Sequence, residues 1–147
     1  KRGGMSRFPI EYEIELAKSG SDPAALTSGH RPRVLTGPPP EFGGTDTWWS
    51  PEHLLVAAAA SCMTATFYSM AERVGMHVGT FRCRGKGILD RSDKTIAFTS
   101  IVLAVDVTVA QGDVTRARAL LDDAKARCFV ANSLRATVEL IAEVSGA

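Results

Sequence analysis

Ser50-Pro51-Glu52-His53-Leu54-Leu55-Val56-Ala57-Ala58-Ala59-Ala60-Ser61-Cys62-Met63 decides the fold of this chain. Ser50 is suited to N-cap a helix, Pro51 to its first position, and Glu52 to its first turn, where negative charge complements the helix dipole. Trp49 before the cap and Leu54 in the first full turn are spaced for a hydrophobic staple. Gly75 supplies the stop. Between these limits Val56, Ala60, Met63, Phe67, Met70 and Val74 form one stripe at helical spacing, and Leu54, Leu55, Ala58, Cys62 and Ala65 cover a neighbouring face. A helix apolar nearly all round has to be buried. One chain of 147 residues can scarcely enclose it on every side, so a partner subunit is expected. The run Ala57 to Ala60 would let another helix approach closely.

Upstream, Phe8, Ile10, Tyr12, Ile14 and Leu16 alternate with Pro9, Glu11, Glu13, Glu15 and Ala17, which predicts a first strand with one wet face. Lys18 to His30 reads as a polar turn region and Arg33-Val34-Leu35 as a short second strand. Gly37 to Gly44 is dominated by proline and glycine and predicts irregular structure. Downstream, Phe81, Cys83, Gly85 and Gly87 mark one face of a strand, and Thr95 to Ala110 is a long run rich in Ile, Val and Thr. Asp113 is placed to cap a second helix that turns Ala117, Leu120, Leu121 and Ala124 inward. A last strand turns Val138, Leu140, Ala142 and Val144 inward. The order β, β, α, β, β, α, β predicts an α+β protein with antiparallel sheet. No internal repeat or long linker divides it, so one domain over residues 5–147 is expected, with Lys1 to Gly4 read as an appended tail.

Apolar residues are 45% and charged residues 22%, ordinary for a globular protein. With 17 Lys plus Arg against 16 Asp plus Glu and no charged block, neither nucleic acid nor an anionic membrane is favoured as a partner. The most apolar stretch, Leu54 to Met70, is short for a bilayer span and carries Ser61, Cys62, Thr64, Thr66 and Ser69. No charged-then-apolar leader opens the chain, and three cysteines are an odd count. A cytoplasmic protein with reduced thiols is the expectation.

The chemistry rests on the thiols. Cys62 lies inside the apolar helix and Cys128 where the second helix pattern stops, in Ala126-Arg127-Cys128-Phe129-Val130-Ala131-Asn132-Ser133-Leu134. Taken singly, each reads as a small core residue, because apolar burial raises a thiol pKa and silences it. Taken together they form a candidate redox pair, and Cys83 reads as an inert strand residue. His30, His53 and His77 are scattered without metal-ligand spacing, so no metal is expected. Serine hydrolase, dinucleotide-binding and P-loop signatures are absent. Trp48 and Trp49 fit a core, a subunit contact or a ligand wall.

Phe42-Gly43-Gly44, Ser50-Pro51-Glu52-His53-Leu54-Leu55, the alanine run, Ser61-Cys62, and Cys128 with Asn132-Ser133-Leu134 resemble the OsmC/Ohr family of osmotically inducible and organic hydroperoxide resistance proteins. The resemblance spans about Arg7 to Val144. It implies an OsmC-like fold, with antiparallel sheets packed around two helices in an intertwined homodimer. It also implies thiol-based reduction of organic hydroperoxides with no cofactor. Cys62 matches the peroxidatic thiol, Cys128 the resolving thiol, and Glu52 the glutamate that positions an arginine at the thiolate. Trp48, Trp49, Phe42 and Met63 are the expected substrate-binding residues, and a dithiol such as a lipoyl group the expected reductant.

One departure stands out. The best-characterised members of the family carry the arginine in a Gly-Gly-Arg turn after the first strand, or just before the double glycine. Here those places hold Lys18-Ser19-Gly20-Ser21 and Gly37-Pro38-Pro39-Pro40-Glu41, so Arg31 and Arg33 are the nearest substitutes. The competing class is a non-catalytic dimer of this fold that binds a small apolar ligand or senses redox state. A hot-dog thioesterase accounts for neither Cys128 nor the spacing of Glu52.

Overall fold

The computed structural model describes residues 7–147. The tail read in Lys1 to Gly4 lies outside the described residues. The chain divides into two compact units, one ending at Pro51 and one beginning at Glu52.

The first unit is a three-stranded antiparallel meander of β1 (Glu15–Ala17), β2 (Ala24–Thr27) and β3 (Val34–Thr36). Two expectations change here. Of the strand predicted over Phe8 to Ala17, only the last three residues pair. Alternation reports which way side chains point, but a strand also needs a neighbour for its backbone groups, and β2 is four residues long. The unpaired part leaves Phe8, Ile10, Tyr12 and Ile14 exposed. In addition, β2 lies inside the segment predicted as turn, since four residues are too few to show a period. Within the proline-rich segment Pro40–Phe42 makes one 3-10 turn, started by a proline that needs no N–H partner there and ended by Gly43 at φ 84°.

The second unit carries the core. Helix α1 spans Pro51–Arg73, as its start signals predict. It closes with the N–H of Gly75 on the Glu72 carbonyl and that of Met76 on the Ala71 carbonyl. Gly75 takes φ 68°, a left-handed conformation that favours glycine. Strands β4 (Val78–Ser92) and β5 (Thr95–Val109) form a long antiparallel hairpin. Helix α2 (Val114–Ala126) and the single turn α3 (Phe129–Asn132) then lead to β6 (Thr137–Gly146). β6 pairs in parallel with β5 over Ser100–Val109, which corrects the expectation of purely antiparallel sheet. A helical crossover returns the chain to the same end of the sheet, and side-chain alternation carries no information about direction.

The inner sheet face presents Ile101, Leu103, Val105, Val107 and Val109 from β5, and Val138 and Val144 from β6. Onto it pack Ala59, Met63, Phe67 and Ala71 of α1 and Ala117, Leu120, Leu121 and Ala124 of α2. Each large side chain removed from water contributes about 1.5–3 kcal/mol. Gly85 and Gly87 let β4 approach α1: a Cβ on Gly85 would come within 2.8 Å of Val56 Cγ1, and one on Gly87 within 2.6 Å of Val56 Cγ2. Asp113 precedes α2 but makes no side-chain capping bond; its Oδ1 accepts from Arg116 at 2.8 Å instead.

Within one chain this helix is buried along one stripe, Ala59, Met63, Phe67 and Ala71. The most apolar 18-residue window of α1 has a mean hydropathy of 1.5, yet only 22% of it is buried. One sheet supplies one covering surface, so Ala58, Ala65 and Tyr68 remain exposed.

Candidate active site at the α1–α3 contact

α1 and α3 bring Cys62 and Cys128 together. Cys62 sits in the middle of α1 and is half-buried, while Cys128 immediately precedes α3 and is fully buried. The chain reaches Cys128 through a compact turn. Its N–H donates to the Lys125 carbonyl at 3.3 Å, and its carbonyl accepts the Asn132 N–H at 2.9 Å. The Asn132 side chain donates back to the Ala126 carbonyl at 3.2 Å, and the Ser133 hydroxyl to the Phe129 carbonyl at 2.7 Å. These bonds hold the Phe129 and Val130 N–H groups open toward α1.

The sulfur of Cys62 collects donors. Burial pushes its thiol up, but the opposing contacts prevail: the Val130 N–H, the Cys128 thiol, the Thr66 hydroxyl and the Phe129 N–H hold it below the ordinary thiol value. Cys128 shifts the other way. Burial raises it, and the Cys62 sulfur raises it further by taking its proton in a hydrogen bond, against the N–H groups of Ala131 and Val130. The two thiols therefore divide one negative charge unequally, with Cys62 favoured as thiolate. Cys83 lies apart on β4, packed against the core. Burial raises its pKa, with partial relief from Arg84.

Cys62 opens onto a cleft of about 510 Å³ lined by Ala65, Thr66, Ser69, Met70, Arg73, Arg127 and Phe129. Thr66, Phe129, Arg73 and Arg127 were not singled out from sequence. A helical wheel could have found two of them, since Cys62, Thr66, Ser69 and Arg73 share one stripe at a residue spacing of four, three and four. The arginines that line the cleft with Cys62 are thus Arg73 and Arg127, both of this unit. Arg31 and Arg33 are exposed residues of the first unit, Arg31 donating its N–H to the Ser28 carbonyl at 3.1 Å.

Glu52 lies in the first turn of α1, and its Oε1 is buried with no hydrogen-bond partner among the described residues. Of the residues expected to bind substrate, Met63 is wholly buried in the core rather than on the cleft. Phe42 is 55% and Trp49 53% exposed in the first unit, and Trp48 is half-buried there. Among the described residues no group of His, Cys, Asp or Glu is arranged to hold a metal ion.

Known proteins share this fold. A family model described as OsmC-like protein matches residues 44–143. An uncharacterized protein of Bacillus subtilis, YmaD, is 27% identical over 111 residues, covering 73% of this chain and 74% of its own. An OsmC-like protein of unknown function from Vibrio cholerae superposes with a TM-score of 0.81 at 20% identity, covering 92% of this chain and 99% of that one. An organic hydroperoxide resistance protein from Elizabethkingia anophelis does so at 0.71 and 17% identity, over 94% and 99%. The structural matches establish the fold. With the family match running from Gly44 through both α1 and the Cys128 turn, the chain belongs to the OsmC-like protein family.

Proposed function

We propose that this protein is a thiol peroxidase that reduces organic hydroperoxides to alcohols. The observation that carries the reading is the hydrogen-bonded pair of Cys62 and Cys128, in which Cys62 is the better thiolate. The Cys62 thiolate attacks the terminal peroxide oxygen. The S–O bond forms, the O–O bond breaks, and the alkoxide leaves and takes a proton, so sulfur is oxidised and peroxide oxygen reduced. Cys128 sulfur then attacks the Cys62 sulfenic acid, forming the S–S bond and releasing water. A dithiol, for which a lipoyl group is the expected form, returns two electrons and two protons and is itself oxidised to a disulfide.

The working unit in this reading is a homodimer, and it acts in the cytoplasm. The exposed sides of α1 and the unpaired apolar residues before β1 support a second copy as their cover. The buried, unpartnered Glu52 Oε1 fits a carboxylate awaiting a guanidinium, and this reading assigns Arg31 or Arg33 to it. Glu52 stands ten residues before Cys62, about 15 Å along the helix axis at about 1.5 Å per residue. It therefore serves the Cys62 of the other copy. Mixing inactive Glu52→Ala with inactive Cys62→Ser subunits should restore activity, because one site of each heterodimer is then wild type. No recovery after demonstrated exchange refutes the sharing.

The central test is stopped-flow consumption of cumene hydroperoxide by the reduced protein, with Cys62→Ser as the control. One equivalent of peroxide should remove two titratable thiols and leave Cys83 intact. Consumption that survives Cys62→Ser, or no consumption by the wild type, refutes the peroxidase reading. The second outcome would favour a ligand-binding dimer.

A further inference from the structure

We infer that Asn132 is a positioning residue: it ties α3 to the end of α2 and so sets the Cys128 sulfur in line with Cys62. The inference rests on the proposed Cys62–Cys128 pair and adds the residue that makes the pair close. Asn132 itself is exposed, does not line the cleft and is not among the groups that face the Cys62 sulfur.

α3 cannot hold itself in place. It is a single turn of four residues, and its N-cap, Cys128, makes no side-chain capping bond. One turn gains too few hydrogen bonds to offset its own ordering. Val130, Ala131 and Leu134 pack against the core and fix how deep the turn sits. Apolar contact has no preferred direction, so packing alone leaves the turn free to rotate and slide on that surface. Directional bonds settle the rest. The Ser133 hydroxyl donates to the Phe129 carbonyl at 2.7 Å, but that bond joins two residues of one turn and moves with it.

The Asn132 bond crosses between elements. Its Nδ2 donates to the Ala126 carbonyl at 3.2 Å, at the end of α2, where the helix's own N–H groups do not reach. Its backbone N–H donates to the Cys128 carbonyl at 2.9 Å. One residue thus grips the chain on both sides of the Cys128 side chain. Among the described residues no other side-chain hydrogen bond joins α3 to α2. α2 is anchored in turn, with Ala117, Leu120, Leu121 and Ala124 buried. The frame therefore runs from the core through α2 and the Asn132 amide to Cys128. Closing a disulfide asks for a Cα–Cα separation of about 4.4–6.8 Å and a defined dihedral, and a misplacement of about 1 Å costs up to about a hundredfold in rate.

The test treats reduced protein carrying Cys83→Ala with dithiobis(nitrobenzoic acid), an aryl disulfide, so that only the pair reacts. The Cys62 thiolate attacks one aryl sulfur, the S–S bond of the reagent breaks, and one arylthiolate leaves. Cys128 sulfur then attacks Cys62, gives its proton to solvent, forms the Cys62–Cys128 bond and expels the second arylthiolate. The first phase scales with reagent concentration and the second does not, so the two separate. In Asn132→Ala the second phase should slow by about fivefold, the scale of one ordinary hydrogen bond. The first should slow less, because Cys62 stays on α1. Asn132→Asp keeps the size but brings no donor, and should close as slowly as Asn132→Ala. Ser133→Ala should close near the parent rate.

Closure at the parent rate in Asn132→Ala or Asn132→Asp overturns the inference. So does an equal slowing of both phases, which marks a general loosening, or closure in Ser133→Ala as slow as in Asn132→Ala. None of these readouts uses peroxide. A protein that closes the pair yet consumes no hydroperoxide refutes the peroxidase and leaves the role of Asn132 standing. A parent that releases only one arylthiolate never closes the pair, and the inference falls with it.

Discussion

The α1–α3 contact and strand β4 each take a thiol partly out of water, with opposite results. At the contact the backbone of a tight turn and a threonine hydroxyl face the sulfur, so Cys62 is held below the ordinary thiol value despite burial. On β4 the backbone N–H groups are committed to the ladder with β5, where Cys83 pairs with Val105, and only Arg84 relieves the burial. The difference teaches that free N–H groups at a helical turn can outweigh burial and hold a thiol pKa down, whereas a strand interior leaves burial to raise it.

The sharpest way to break the comparison is Cys128→Ser. The first oxidation of Cys62 should persist, but without a resolving thiol the sulfenic acid accumulates and steady-state turnover falls by about a hundredfold or more. Trapping with dimedone followed by mass spectrometry reads this, and full turnover in the variant would remove Cys128 from the cycle. Thr66→Val deletes one donor of about 1 kcal/mol, which should slow Cys62 alkylation at neutral pH by about fivefold. The pH profile gives the sign. A depressed pKa keeps Cys62 reactive at pH values where Cys83 and Cys128 are already protonated thiols, and Thr66→Val should move the Cys62 profile to higher pH. An unmoved profile means the hydroxyl does not serve the sulfur. The smallest effect belongs to Cys83→Ala, which should leave peroxide kinetics unchanged and cost about 1 kcal/mol of stability in a denaturant titration. A kinetic change there would mean that β4 takes part in the chemistry.

Much of this was legible in the sequence, and the gaps have physical causes. Pro51, Glu52 and Gly75 act through local backbone rules, so α1 could be delimited from residues alone. The inward faces of α2 and β6 follow from their periods. Strand direction did not, because β5 and β6 would show the same alternation in either orientation. The paired part of the first strand was overextended because its partner strand is shorter than its own pattern. Cys62 and Cys128 were found by their helix context and family resemblance, while Thr66 was missed because one threonine on an apolar helix looks like any other. Arg127 was overlooked beside a more conspicuous neighbour in the chain, since only the turn that follows α2 carries its side chain to the cleft.

The β4–β5 hairpin has a further consequence. β6 supports β5 only from Ser100 onward, so the ribbon from Ile88 to Thr99 rests on two strands, and its tip at Asp93 is exposed with φ 52°. No residue of that ribbon lines the thiol cleft. It is therefore a grafting position. A peptide epitope or an affinity handle could be inserted between Asp93 and Lys94, where it lengthens the turn and leaves the pairing of β4 with β5 in register. The reporter would then be covalently part of the protein without lining the cleft that holds Cys62.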